Sequence, residues 1–186
     1  MPTKNSLIRV PDIPFAAFAL GAVLLFVIGF MFFIEQILFP PCCDADQYLK
    51  LARISNAKGI IAVQVPSLTF AYPWILSLII EFSNIINLPE KFLIFLAQIS
   101  AYYLALVIVS NIIKDYSRKL ATAIYLALCV NIFAIPYTGI TLTDSLYTSL
   151  AIVLFGGMMK IEHLQKSEKV LPSKWIFWGT FFNSMS

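Results

Sequence analysis

GIIAVQVPSLTFAYPWILSLII, residues 59–80, is the stretch on which the fold turns. It carries no charge, and at 22 residues it is long enough to cross a bilayer, whose hydrocarbon core of about 30 Å takes about 20 residues of helix. Gln64, Pro66, Ser67, Thr69 and Pro73 interrupt it, however, and leave only Trp74 to Ile80 as a clean apolar run. Two prolines break the backbone hydrogen-bond ladder, and lipid supplies no substitute partners. The stretch therefore reads as an interfacial or re-entrant segment within one long loop.

The flanking charges agree. Outward from residues 59–80 lie four stretches of membrane-crossing character, expected at about 13–38, 92–113, 120–137 and 144–160. The first holds an uncharged run from Ile13 to Ile34, too long for a signal-peptide core and followed by no A-x-A site. With residues 59–80 held to one side, Lys4, Arg9 and Asp12 give +1, the Lys114–Lys119 turn +2 and the Lys160–Lys174 segment +2, all on one face. The other face receives residues 35–91, net −1, and Asp144. Had residues 59–80 crossed, both +2 segments would lie outside, against the excess of Lys and Arg in cytoplasmic loops. The expected architecture is all-α: a polytopic transmembrane helical bundle whose long outer loop, 39–91, carries short interfacial helices. Its expected place is the plasma (bacterial inner) membrane, multi-pass, with a cytoplasmic N-terminus. Residues 175–186 turn apolar again and read as a partial fifth span, so the chain reads as the front part of something larger.

Composition excludes other classes. Hydrophobic residues make up 60% of the chain and charged ones 12%, whereas a soluble domain carries about 25% charged residues. So much apolar surface cannot be hidden inside so small a body. A cytoplasmic globular domain, a disordered tail and a nucleic-acid binder are excluded. Cys42, Cys43 and Cys129 are too few for a disulfide framework, and Cys129 lies in an apolar run as a small hydrophobe.

Chemistry-bearing residues gather on the expected outer face. Residues 47–58 place Tyr48, Leu51, Ala52 and Ser55 near one helical face and Lys50, Arg53 and Lys58 elsewhere. Such a basic amphipathic helix suits a membrane surface, with its cations at phosphate depth; ordinary interfacial anchoring is the plain alternative. Asp44 and Asp46 follow the Pro40–Pro41 break, Glu35 ends the first span, and Asp144 opens the fourth. A carboxylate at membrane depth is costly and so a functional candidate. For Asp144 the plain alternative is a helix N-cap, and for Asp46 a solvated side chain. HExxH, GxSxG, Walker A and C-x-x-C motifs are all lacking.

Asp44-Ala45-Asp46-Gln47-Tyr48-Leu49-Lys50-Leu51-Ala52, Tyr72-Pro73-Trp74 and Thr143-Asp144-Ser145-Leu146-Tyr147 occur in this order around the spans. The pattern resembles the polytopic glycosyltransferases of the GT-C superfamily, in particular the protein O-mannosyltransferase and lipid A aminoarabinose transferase branch. That branch has D-x-x-x-Y-x-x-x-A after its first span, a proline-aromatic interfacial segment, and an acidic residue ahead of a later apolar helix. The branch often places a second acid directly after its first Asp, where this chain has Ala45, and its members have about eleven or more spans. The resemblance implies transfer of a sugar from a polyprenyl-phosphate donor to a lipid, glycan or protein acceptor on the non-cytoplasmic face. It implies catalytic roles for Asp44 and Asp144, which would also hold a divalent cation, Mg or Mn. It further implies donor-phosphate binding by Lys50, Arg53 and Lys58, and a substrate pocket with Tyr48 and Tyr72. The partners implied are membrane lipid and the lipid-linked donor. Catalysis is an expectation for the family rather than for so short a chain.

Two other classes compete: a transport or flippase fragment, for which Gln98, Ser100 and Asn131 are the polar residues within spans, and a non-catalytic accessory subunit. Ion-coupled transport normally uses buried charge, and none of these three residues is charged.

Overall fold

The computed structural model describes residues 13–38, 44–59, 71–131, 133–139 and 143–166. The N-terminal charges, Cys42, Cys43, Pro66 and the segment from Trp175 lie outside them. The described residues form seven helices and no strand: α1 (Phe15–Leu38), α2 (Asp44–Lys58), α3 (Ala71–Ile86), α4 (Glu90–Ile113), α5 (Arg118–Cys129), α6 (Ile135–Gly139) and α7 (Thr143–Lys166).

Two helices, α1 and α4, are long and apolar enough to cross a membrane. They differ in surroundings. The apolar stretch of α1 is only 22% buried, against 50% for α4. Every fourth residue from Ile13, just before α1, through Ala17, Gly21, Leu25 and Gly29 to Phe33 packs inward, while Leu20, Val23, Val27, Met31 and Ile34 are exposed. Water would penalise that outer face at about 25 cal/mol per Å²; a soluble core helix would hide it. α4 is apolar on all sides, the mark of a helix surrounded by neighbours, and α1, α3, α5, α6 and α7 all pack on it.

Contacts fix the directions. Phe33 of α1 lies against Phe92 and Phe95 near the start of α4, with ring centroids 6.0 and 4.9 Å apart, while Phe18 meets Tyr103 further along. The two helices are antiparallel. The Ser117 hydroxyl caps α5 by accepting from the Leu120 N–H at 3.3 Å. α5 then turns back along α4, and the Tyr102 hydroxyl donates to the Leu128 carbonyl at 3.0 Å. α7 runs parallel to α4: Leu146 packs at the α2–α3 end. At the far end the Tyr116 hydroxyl donates to the Met159 carbonyl at 2.6 Å and Lys160 pairs with Asp115.

All of α2, the α3–α4 turn and the start of α7 therefore share one end of the molecule, and the Lys114–Lys119 turn and Lys160 share the other. Residues 71–80 open α3, which continues past Glu81 to Ile86. Pro73 lies in its first turn, where the missing N–H has no intrahelical partner to lose. Sixteen residues make α3 about 24 Å long, short of a hydrocarbon core. It stops at Asn87, left-handed at φ 55°, where Leu88 N–H donates to the Ser83 carbonyl and the Ser83 hydroxyl to the Leu88 carbonyl. The segment expected as one span at 120–137 is two helices. Asn131 interrupts it: its carbonyl accepts from Ala134 and Ile135, and its side-chain oxygen from the Phe133 N–H at 3.0 Å. Pro136 has no N–H with which to continue the α5 ladder.

Candidate functional site

α2 folds as its pattern requires, with Tyr48, Leu49, Ala52 and Ser55 buried and Asp46, Lys50, Arg53 and Lys58 exposed. Its buried face lies on α3, and the Tyr48 ring meets the Tyr72 ring edge-on, with centroids 5.1 Å apart at 87°. Tyr72 is itself buried, and its hydroxyl accepts from Gln98 Nε2 at 3.1 Å. Burial first, then Tyr48, then the charge of Asp144 push the Tyr72 phenol well above its ordinary range. It is a neutral donor at any physiological pH, and with Gln98 on its lone pair its own hydrogen points elsewhere.

The start of α7 closes the cluster. A Cβ on Gly156 would come within 2.5 Å of Val109 Cγ2, so α4 and α7 touch there. Eleven residues earlier on these parallel helices lie Ser145 and Gln98, which are therefore level. Ser145 is 1% exposed, and its hydroxyl finds no hydrogen-bond partner among the described residues. Asp144 beside it is exposed and lies within the first turn of α7, where the helix dipole favours a carboxylate. Because α7 begins at Thr143, Asp144 lies inside the helix rather than at its cap position. Gln98 lies eight residues in from Glu90, so this polar layer is recessed about 12 Å from the end of α4.

Tyr48 and Tyr72 are thus in contact, and Asp144 lies near enough for its charge to act on the Tyr72 phenol. Asp44 is the first residue of α2, one turn before Tyr48, and its side chain lies outside the described residues. Lys50 pairs with Asp46 at 2.6 Å and Arg53 with Glu90 at 2.5 Å; Lys58, in the last turn of α2, is exposed. Such exposed pairs contribute about 0–1 kcal/mol and exchange readily. Gln98 and Ser145 complete the layer. An amide inside an apolar span signalled Gln98, though for transport, whereas nothing in the sequence marked Ser145.

Among the described residues no group of three His, Cys, Asp or Glu converges. Asp144 is the one carboxylate at the Tyr72 cluster whose side chain is described. Cys129 is fully buried among apolar side chains. No family model, no curated protein and no solved structure matches this chain. What the site can do follows from its geometry alone: it sets the Tyr72 and Ser145 hydroxyls near one carboxylate, with Lys50, Arg53 and Lys58 on the exposed face of the adjoining α2.

Proposed function

We propose that this chain belongs to a polytopic membrane glycosyltransferase that moves a sugar from a polyprenyl-phosphate donor to an acceptor at the non-cytoplasmic face. The observation that carries the proposal is the packing of Tyr48 on Tyr72, with the charge of Asp144 acting on the Tyr72 phenol, among residues far apart in sequence at one end of the bundle. From Asp144 to Lys160 is 16 residues, about 24 Å of helix. With the Lys114–Lys119 turn and Lys160 at the cytoplasmic boundary, Asp144 falls about 6 Å inside the outer boundary of a 30 Å core. The Arg53–Glu90 pair then stands above it, at headgroup depth.

In this reading Asp44 deprotonates or orients the acceptor nucleophile, and Asp144 holds the polar acceptor next to it. The Tyr72 hydroxyl donates to a sugar or acceptor oxygen, aimed by Gln98. Negative charge grows on the leaving phosphate, and Arg53 compensates it with two parallel N–H groups. Arg53 can leave Glu90 because that carboxylate keeps the support of the α4 N-terminus. No step here runs through a metal. Transfer assayed in membrane vesicles should be abolished by Asp44→Asn with insertion unchanged; near-normal turnover would remove Asp44 from the base role. Asp144→Asn should lower turnover at least tenfold, the scale of one charged contact at a reacting centre.

A second reading draws on the broken helix at Asn131. Interrupted helices that line a recess are how many transporters build their sites, and a flippase or an accessory subunit would keep the polar layer without turnover. Donor-dependent binding with no transfer, unaffected by Asp44→Asn, would favour it.

A further inference from the structure

A groove of about 750 Å³ opens between the last turns of α1 and the α3–α4 turn, floored by Phe30, Phe33, Ile37 and Phe92. Enclosing sites for small ligands are of this order, about 300–1,000 Å³. It is not the recess described above. Phe92 and Ile94 differ by two residues, about 200° around α4, so the groove lies on the α1 side and the Tyr72 cluster, which includes Ile94, on the other. The floor is preformed: Phe30 packs on Phe33 at 5.9 Å and Phe33 on Phe92 at 6.0 Å. Its rim carries Glu90 and Lys91. Glu90 is neutralised by Arg53, whereas no ion pair or hydrogen bond joins Lys91 to another described residue. The groove is thus an apolar slot with a cation at its mouth that no described residue compensates. Lys91 lies 23 residues from Lys114, about 34 Å along α4, which is headgroup depth if the cationic turn marks the opposite boundary.

We infer that this groove is a binding site for an anionic diacyl phospholipid, its chains on the phenylalanine floor and its headgroup on Lys91. The inference rests on the membrane placement proposed above but not on sugar transfer. The test uses the full chain with Trp74, Trp175 and Trp178 changed to Phe and one reporter, Ile37→Trp, in phosphatidylcholine vesicles. A second reporter, Leu150→Trp, stands on the exposed face of α7 as ordinary lipid contact. Brominated phosphatidylglycerol should quench the groove reporter with about five-fold preference over brominated phosphatidylcholine, the effect of one surface cation, and the α7 reporter with none. Lys91→Gln should erase the preference, and Glu90→Gln, which frees Arg53, should enlarge it. Equal quenching by both lipids at residue 37, or a preference that survives Lys91→Gln, overturns the site. Quenching of neither reporter by any brominated lipid overturns the membrane placement instead.

Discussion

Gln98 decides which way the Tyr72 hydroxyl can donate. Its amide hydrogen occupies one lone pair of the phenol oxygen at 3.1 Å, so the phenol hydrogen points away from that amide. Tyr72→Phe keeps the ring against Tyr48 but strips a buried amide of this partner, and should cost about 1–3 kcal/mol of stability. The midpoint of a denaturant titration in mixed micelles measures that loss. The raised Tyr72 pKa adds a pH signature. In the unfolded chain this phenol ionises near 10, in the folded chain later, so folded protein retains the proton and stability falls as pH climbs above the unfolded value. The difference between wild type and Tyr72→Phe should therefore be flat from pH 6 to about 9 and shift against the wild type above about 10. A difference that does not change with pH would mean the phenol is not buried. Ser145 shows the limit of reading single residues: its hydroxyl is ordinary in sequence, and only its burial without a described partner makes it part of a site.

Helices in this chain are shaped by what stops them. α3 ends at Asn87 because asparagine tolerates the left-handed backbone better than other side chains do. Asn87→Val should destabilise by about 1–2 kcal/mol and Asn87→Gly should not; equal midpoints for the two variants would contradict a strained turn. α1 is held by small residues. A Cβ on Gly21 would come within 2.4 Å of the Tyr125 ring, and that ring is tied by its hydroxyl to the Phe18 carbonyl at 2.9 Å. Gly21→Ala should cost about 1–3 kcal/mol, as overpacking does, with thermal unfolding in detergent as the measure. The inward face of α2 was legible in its spacing, since Tyr48, Ala52 and Ser55 recur at helical period. The α5–α6 break was not. Asn131 is one polar residue among apolar neighbours, and whether it caps a helix or rides within one depends on α1 and α4, against which Ala134 and Ile135 pack.

At the scale of the molecule, α2, the α3–α4 turn and Asp144 share one end, and the Lys114–Lys119 turn and Lys160 share the other, which is the division the proposed orientation requires. With Cys42, Cys43 and Cys129 changed to Ser, Asp144→Cys in sealed right-side-out vesicles should label with an impermeant thiol reagent, and Ser117→Cys only after permeabilisation. The reverse pattern would invert the proposed orientation.

Local order was written in the chain: uncharged runs, helical periodicity and the place of prolines determine α-helices, two of them of membrane length, because each depends only on neighbours within a few turns. Only the tertiary structure decided that Tyr48, Tyr72 and Gln98 meet and that the start of α7 packs beside them. Their meeting depends on the register between α4 and α7, set where Gly156 admits Val109. No local rule fixes how far one apolar helix slides along another; complementary packing of small and large side chains does.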